Sequence, residues 1–512
     1  MSDLSDPIDR DSRLTPPIHI DDPSPSLDKT DHTSSGGSDK PSYSILTYRE
    51  KLGIVMINSF VGIMSSIASP IFFPIMKDIK QEFKISDELM NLAVVCYLIF
   101  QGIVPTISSN LADQYGRRPM LLLSLLVYVV ANIGIARLNV YWLILVLRCV
   151  QAGGIAPVIA ICSGMVGDFT LRHERGSFMG AASGFTLVGQ AFGALIGSGI
   201  TTGFGTWRAI FWFLAITAGV ILLVCVAVIP ETCRSIVGNQ SVRPKRFINR
   251  APILLLSRYS RRLTNDLSTL EDSRQRIDWL SPLKILMNRQ VYFVLIPASL
   301  QFAAWTMSMT TLSNSLSTKY GYTTLQVGLC YLPQGITCLI GSLVCGKLLN
   351  WHYVKMRTTY EGDLANYDEA QCAHKPVFNF YKARLNLLIY PCSAACCGLV
   401  MYGWFIENKI QLASVLVSSA MISFCASFYV TTSTTIMVDL FPGQTSVSAS
   451  CVNLARCLTA AVGTACLEMM ETKMTIGGVY TFLAGLCFVS NFLVYILIHK
   501  GLKWDAQRKH HG

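Results

Sequence analysis

Apolar residues fall in twelve long runs, and most polar residues are confined to the stretches between them. The runs lie near 52–75, 89–110, 119–136, 140–165, 178–202, 209–229, 291–315, 324–349, 385–404, 410–437, 446–467 and 477–498. Each is close to the length of about 20 residues that carries a helix across a bilayer core. The pattern predicts an all-α polytopic membrane protein with twelve transmembrane helices, numbered here as spans 1–12. A basic stretch, 231–290, holds twelve Lys and Arg residues and divides them six and six. The expected organisation is a polar tail over 1–46, a six-helix bundle over 47–230, the basic loop 231–290, a second bundle over 291–499 and a short tail over 500–512.

The first 46 residues are rich in Ser, Asp, Pro, Thr and Lys, with little to bury, and are expected to be disordered. They are too long and polar for a signal peptide. Span 1 carries Asn58, Ser59, Ser65, Ser66 and Ser69, with Pro70 and Pro74 at its far end. Its polar residues should face protein, and its prolines permit a kink. Residues 77–88 and 350–384 read as loops.

Composition agrees with the pattern. Hydrophobic residues make up 51% of the chain and charged residues only 14%, about half the usual share for a soluble domain. The net charge of +11 lies mostly in loops, on the hinge 111–119, 172–175, 231–290, 350–384 and the C-terminal tail. These all fall on the side of the N-terminus. The excess therefore reads as topology, with both termini cytoplasmic, and not as nucleic-acid binding. The sequon Asn239-Gln-Ser241 would then stay unglycosylated. Most of the 17 cysteines sit within apolar runs as small packing residues, and no metal-spaced pair recurs. No histidine lies inside a run except His499 at the very end of one. Phosphate-loop and catalytic-triad patterns are absent, so neither direct ATP use nor an enzyme is expected, and no cofactor or metal.

The segment Leu111-Ala-Asp-Gln-Tyr-Gly-Arg-Arg-Pro119 joins spans 2 and 3. A link this short makes them antiparallel neighbours. Gly116 can take a backbone turn closed to other residues. Arg117 and Arg118 hold the link at the cytoplasmic face. Asp113 can pair with an arginine or a helix N-terminus of the neighbouring half. Without any further role, the segment would still serve as a charged anchor. Asp168, after Met165-Val-Gly, ends span 4, and Asp439, after Met437-Val, ends span 10. That is the trace a duplicated six-helix unit would leave.

This hinge resembles the G-x-L-x-D-R-x-G-R-R loop of the major facilitator superfamily, with Ser109 and Gln114 as departures. Arg148-Cys-Val-Gln-Ala-Gly-Gly154 loosely resembles that family's span 4 motif. Gly189, Gly193 and Gly197 resemble its antiporter motif, with Ala194 where proline is usual. Spacing every four residues also allows simple helix packing. The segments Gly167–Gly176, Trp207-Arg208 and Ile229–Asn239 look like those of fungal twelve-span drug:H+ antiporters. Within that subfamily the chain looks most like the branch that exports dityrosine compounds from yeast, with quinidine-resistance and weak-acid exporters close. The resemblance implies a two-bundle fold that rocks about a central site. It implies export of small organic molecules powered by the proton gradient, at the plasma membrane or a prospore membrane, by a monomer. A sensor or a facilitated-diffusion carrier on the same fold is the alternative.

An arginine inside a span is costly and marks function by default, although Arg148 could also snorkel to the surface. The resemblance ties it to proton coupling. No carboxylate lies deep inside a run. Arginine does not release its proton. The titrating group is therefore Asp113, Asp168, Asp439 or Glu468, or else the substrate carries the proton or coupling is absent. Candidate substrate contacts are Asn58, Tyr97, Gln101, Gln190, Gln301, Trp305, Asn314, Tyr429, Asn453 and Arg456. With Arg148, Arg456 favours an anionic substrate. Helix–helix hydrogen bonding is the alternative for each uncharged member.

Overall fold

Prolines and glycines set where the helices bend and touch, and the apolar runs set where they lie. The computed structural model describes residues 44–170, 189, 192–244, 246–252, 281–365, 378–441 and 445–511. Among the described residues each of the twelve runs contains helix, the run 178–202 being described only at 189 and from 192 on. Ten helices among the described residues are long and apolar enough to cross a membrane. The last of these, Val447–Trp504, is two spans joined at Thr475, where φ is +61°. Span 5 is described as the shorter helix Phe192–Phe204.

Span 1 is helical over Tyr48–Ile67, tightens to a 3-10 turn at Pro70–Ile75, then resumes as Met76–Phe83. The stretch read as a loop from residue 77 is thus largely helix, closed by Lys84 at φ +51°. Pro70 and Pro74 cannot donate backbone hydrogen bonds, which accounts for the tight turn. Span 2 is Asp87–Tyr115 and span 3 is Arg117–Arg137. Span 4 is broken before Pro157 into Tyr141–Ile155 and Pro157–Phe169. Spans 6 and 7 are Arg208–Val228 and Arg289–Thr318. Span 8 starts with Thr324–Cys330 and continues as Leu332–Ala365. The loop expected from residue 350 therefore begins as helix, because helix formation outlasts the apolar run that signals a membrane. Spans 9 and 10 are Ile389–Glu407 and Leu412–Leu440.

Span 5 meets span 1 through its glycines. A Cβ on Gly189 would sit 2.6 Å from the Ile63 carbonyl oxygen. One on Gly193 would sit 2.7 Å from Pro70, and one on Gly197 2.7 Å from the Ile71 carbonyl oxygen. Only glycine allows the two backbones this close. Outward-facing Leu223, Phe488, Val489 and Phe492 are exposed, an apolar surface suited to lipid.

The chain closes at the end opposite the hinge. Phe73 stacks on Tyr331 at 6.1 Å, and Ser313 Oγ donates to the Phe73 carbonyl at 2.7 Å. Thr324 Oγ1 donates to Asp78 at 3.2 Å. These contacts tie span 1 and its extension to spans 7 and 8. On the hinge face, Ile45 N–H donates to Asn239 O at 3.2 Å, and Trp504 packs on Phe293. Both described ends of the chain therefore reach the hinge face. Most of the expected tail, the loop portion 253–280 and Gln190 lie outside the described residues.

Candidate functional site

The hinge is organised by a carboxylate that arrives from 114 residues away. Gly116 adopts φ +112°, ψ 152°, a conformation essentially reserved for glycine. The chain turns there and exposes the first N–H groups of span 3. Glu231, just beyond span 6, accepts the Arg117 N–H at 2.9 Å and the Arg118 N–H at 3.3 Å. It also accepts the N–H groups of Thr232 and Cys233, each at 3.0 Å. Burial pushes the Glu231 carboxyl above its ordinary range, and the four N–H donors oppose that shift without cancelling it. A negative charge at a helix N-terminus also opposes the helix dipole favourably.

The arginines then take separate partners. Arg117 pairs with Asp113 at 2.6 Å and with Asp168 at 3.3 Å. Arg118 is 3% exposed and donates to the carbonyls of Ile229 at 2.8 Å, Val226 at 2.6 Å and Ile248. Thr232 Oγ1 donates to Asp168 at 3.2 Å, and Arg234 Nε donates to the Asp168 carbonyl at 2.9 Å. Asp113 thus pairs within its own half, and the helix N-terminus of that half is taken by Glu231. The expected pairing with the other half is not what the fold builds. The second half repeats one element: Asp439 pairs with Arg384, ahead of span 9, at 2.9 Å.

A second cluster lies along the seam of spans 2 and 11. Pro105 has no N–H, which frees the carbonyl one turn back at Gln101. Asn453 Nδ2 of span 11 donates to that carbonyl at 2.6 Å. The Asn453 oxygen accepts from Arg456 Nε and Nη2 at 3.0 and 2.8 Å. Arg456 lies over the Phe302 ring at 4.9 Å, and Phe302 packs on Trp305. On the other side of the seam Arg148 is 2% exposed. Its guanidinium lies 3.9 Å from the Phe72 ring centre and 4.5 Å from that of Tyr97. It donates to Gln151 Oε1 at 2.8 Å, and Gln151 in turn donates to Asn132 at 2.7 Å. Arg148 is buried and does not snorkel. A central arginine costs about 3 kcal/mol. Two ring faces at about 1–2 kcal/mol each can offset that.

Among the described residues, neither Arg148 nor Arg456 has a carboxylate at salt-bridge distance. Among the described residues, the buried polar atoms of Asn58, Tyr97 OH, Gln301 Nε2 and Trp305 Nε1 have no hydrogen-bond partner. Buried groups of this kind are normally satisfied, and these can serve a polar substrate. Tyr97 meets Arg148, while Gln101, Asn453 and Arg456 form a chain that reaches Trp305 through Phe302, and span 2 carries both Tyr97 and Gln101. Tyr429 of span 10 lies apart, donating to Asn491 of span 12 at 2.9 Å. Asn314 and Glu468 line a separate cavity at the closed end. Sequence reasoning missed Glu231, Gln151 and Phe72 as site residues. Gln151 and Glu231 lay inside motifs it had noted; Phe72 carried no local signal.

The sequence profile described as Major Facilitator Superfamily matches residues 59–464. The chain is 42% identical over 478 residues to "MFS antiporter QDR2" of Candida albicans, covering 93% of this chain and 94% of that one. It is 45% identical over 460 residues to "MFS antiporter QDR1" of the same organism, covering 90% of each. "Quinidine resistance protein 1" of Saccharomyces cerevisiae is 40% identical over 485 residues, 91% of this chain and 86% of that one. Two solved folds are similar. The human organic anion transporter MFSD10 has a TM-score of 0.54 at 15% identity, covering 87% of this chain and 99% of its own. The E. coli xylose transporter XylE, partially occluded and inward open, has a TM-score of 0.60 at 12% identity, covering 88% and 97%. The chain is a multi-pass membrane protein that belongs to the Major Facilitator Superfamily, a family of transporters and not of enzymes.

Proposed function

We propose that this protein exports small organic molecules by exchange for protons, with the spans 2 and 11 seam as its substrate site. The observation that carries the reading is the pair of guanidiniums on that seam, each over an aromatic ring and neither at salt-bridge distance from a carboxylate among the described residues. A buried cation without a counter-ion favours a substrate with a negative or electron-rich group. The surrounding rings of Phe72, Tyr97, Phe302 and Trp305 suit a planar, aromatic body. Weak organic acids, dityrosine-type compounds and drugs all fall within that chemistry. The two halves would rock about the seam while the hinge network holds one face.

Export, proton exchange and drug range follow the relatives, whose names include antiporters and a quinidine-resistance protein. The positive-inside rule puts the hinge face and both termini in the cytoplasm, in a plasma membrane or, as an alternative, a prospore membrane.

The test is release from intact cells of quinidine, a short organic acid and a dityrosine compound, with and without a protonophore. Wild type and Arg148→Ala are compared at matched surface level. The expected result is release by wild type that stops with the protonophore and in the variant. Release indifferent to the protonophore would point to facilitated diffusion. Release of none of the three would favour a sensor.

A further inference from the structure

The hinge acids are all committed: Asp113 and Asp168 to Arg117, Asp439 to Arg384, and Glu231 to four backbone N–H groups. The seam arginines do not release protons. A different pair of carboxylates faces open space. At the closed end, a cavity of about 380 Å³ lies between the extension of span 1 and spans 2, 7 and 11. Glu468 and Glu471 of span 11 line it, together with Asn91 of span 2 and Asn314 of span 7.

Four observations make this more than two acids in proximity. Glu471 Oε1 accepts from Thr311 Oγ1 at 2.6 Å, and Thr311 Oγ1 accepts from Tyr480 OH at 2.8 Å. Thr311 and Tyr480 are both almost fully buried, and the Tyr480 ring meets Tyr402 edge-on at 4.9 Å. Glu468 Oε2 is buried without a partner. Asn91 is only 8% exposed, lines the cavity and makes no side-chain hydrogen bond among the described residues. Among the described residues no base makes a salt bridge to the pair, although Lys80 attracts Glu468 and Lys319 attracts Glu471 from further away. Lys80 is held by Asp87 at 2.6 Å, Lys77 points to the Ser317 carbonyl at 3.4 Å, and Lys319 lies 3.9 Å from Glu407. The other charged groups around the pair are Lys84, which lines the same cavity, Asp87 and Glu88.

We infer that Glu468 and Glu471 form the exchangeable proton site of the transporter, entered from the face opposite the hinge. A proton arriving there forms one O–H bond on a Glu471 carboxylate oxygen and neutralises it. Leaving, it restores the carboxylate that Thr311 and Tyr480 support. Neutral and charged Glu471 make different demands on Thr311 of span 7 and Tyr480 of span 12. The proton's presence therefore biases how spans 7, 11 and 12 pack against span 2. An organic ammonium is the competing occupant of the same chemistry.

The inference rests on the proton-exchange reading above, and the experiment separates the two. Purified full-length protein is reconstituted in vesicles holding a pH-sensitive dye, and quinidine is added. Labelled quinidine exchange is followed in parallel at equal pH on both sides. Wild type should move protons when quinidine is added. Glu471→Gln should lose that movement to a greater degree than it loses exchange, and should flatten the pH profile of exchange. Glu468→Gln should show the same in weaker form. Infrared difference spectra across a pH titration supply a readout that needs no substrate. A protonated-carboxyl band present in wild type should be missing in the double variant. Proton movement and exchange falling together, an unchanged pH profile, or a retained carboxyl band would each overturn the inference. Competition by quinidine for that band at fixed pH would assign the site to the ammonium instead. A wild type that exchanges quinidine without moving protons would instead remove the proton-exchange reading itself.

Discussion

Glu231 accepts the Arg117 backbone N–H at 2.9 Å, and this one bond joins the end of span 6 to the start of span 3. The same carboxylate presses on Gly116, where a Cβ would meet the Glu231 carboxyl carbon at 3.0 Å and Oε2 nearer still. Glu231→Ala leaves four N–H groups without their acceptor, at about 1–3 kcal/mol for a buried unsatisfied group. Gly116→Ala adds both a collision and a backbone conformation that alanine resists. Each single variant should lower the thermal unfolding temperature of the purified protein. In the Glu231→Ala background, Gly116→Ala should cost less than in wild type, because the collision is gone and only the backbone term remains. Strict additivity of the two would disprove the contact.

The two acids on Arg117 should not be equivalent. Asp113 has a half-exposed side chain, 48%, whereas Asp168 is at 15% and also accepts from Thr232. An exposed pair contributes about 0.2–1 kcal/mol, while breaking a buried one costs about 3–5 kcal/mol. Asp113→Asn should reduce transport and leave the protein in the membrane at normal level. Asp168→Asn should reduce both. Surface quantification alongside flux decides, and normal flux in Asp113→Asn would remove its gating role.

What was legible in the sequence was what local chemistry dictates. Membrane spans follow from run length, and Gly116 and the glycines of span 5 follow from spacing and turn position. Asp168 and Asp439 were paired as an echo, and each does meet an arginine near the start of the preceding span. Glu231 was hidden because its partners lie 114 residues earlier, and a polar loop gives no hint of which helix it will return to. Glu471 was hidden for a related reason. It sits within four residues of the break at Thr475, where acids are ordinary, and only the packing of span 11 against spans 2 and 7 and the extension of span 1 makes it part of a cavity. Hydropathy also stopped span 8 too early, since it reports lipid and not helix.

Cys233 offers a probe of the hinge in its native state. Its side chain is nearly buried beside Asp113 O and Ser235, and burial pushes the thiol up to about 11. At pH 8 about one molecule in a thousand would then carry the reactive thiolate. A maleimide should modify Cys233 far more slowly than an exposed thiol, by mass-spectrometric peptide mapping. Glu231→Ala should accelerate it, since Glu231 accepts the Cys233 N–H. Fast modification in wild type would mean that the hinge face is open for most of the time.

Arg148 tests whether shape or charge matters on the seam. Lysine keeps the positive charge but is a compact, strongly hydrated group without a planar face. It cannot lie flat between Phe72 and Tyr97 as the guanidinium does. It also lacks the fork that lets Arg148 bond Gln151 while leaving Nε free. If Arg148 serves only as a charge, Arg148→Lys should transport like wild type. If the stacked plane positions the substrate, loss of about 1–2 kcal/mol should weaken apparent affinity by about five- to thirty-fold. We expect the second outcome, with KM rising while the surface level holds. The concentration dependence of release by Arg148→Lys and Arg148→Ala, read side by side, distinguishes the two. Equal damage in both variants would show that the planar group, and not the charge, is what the seam requires.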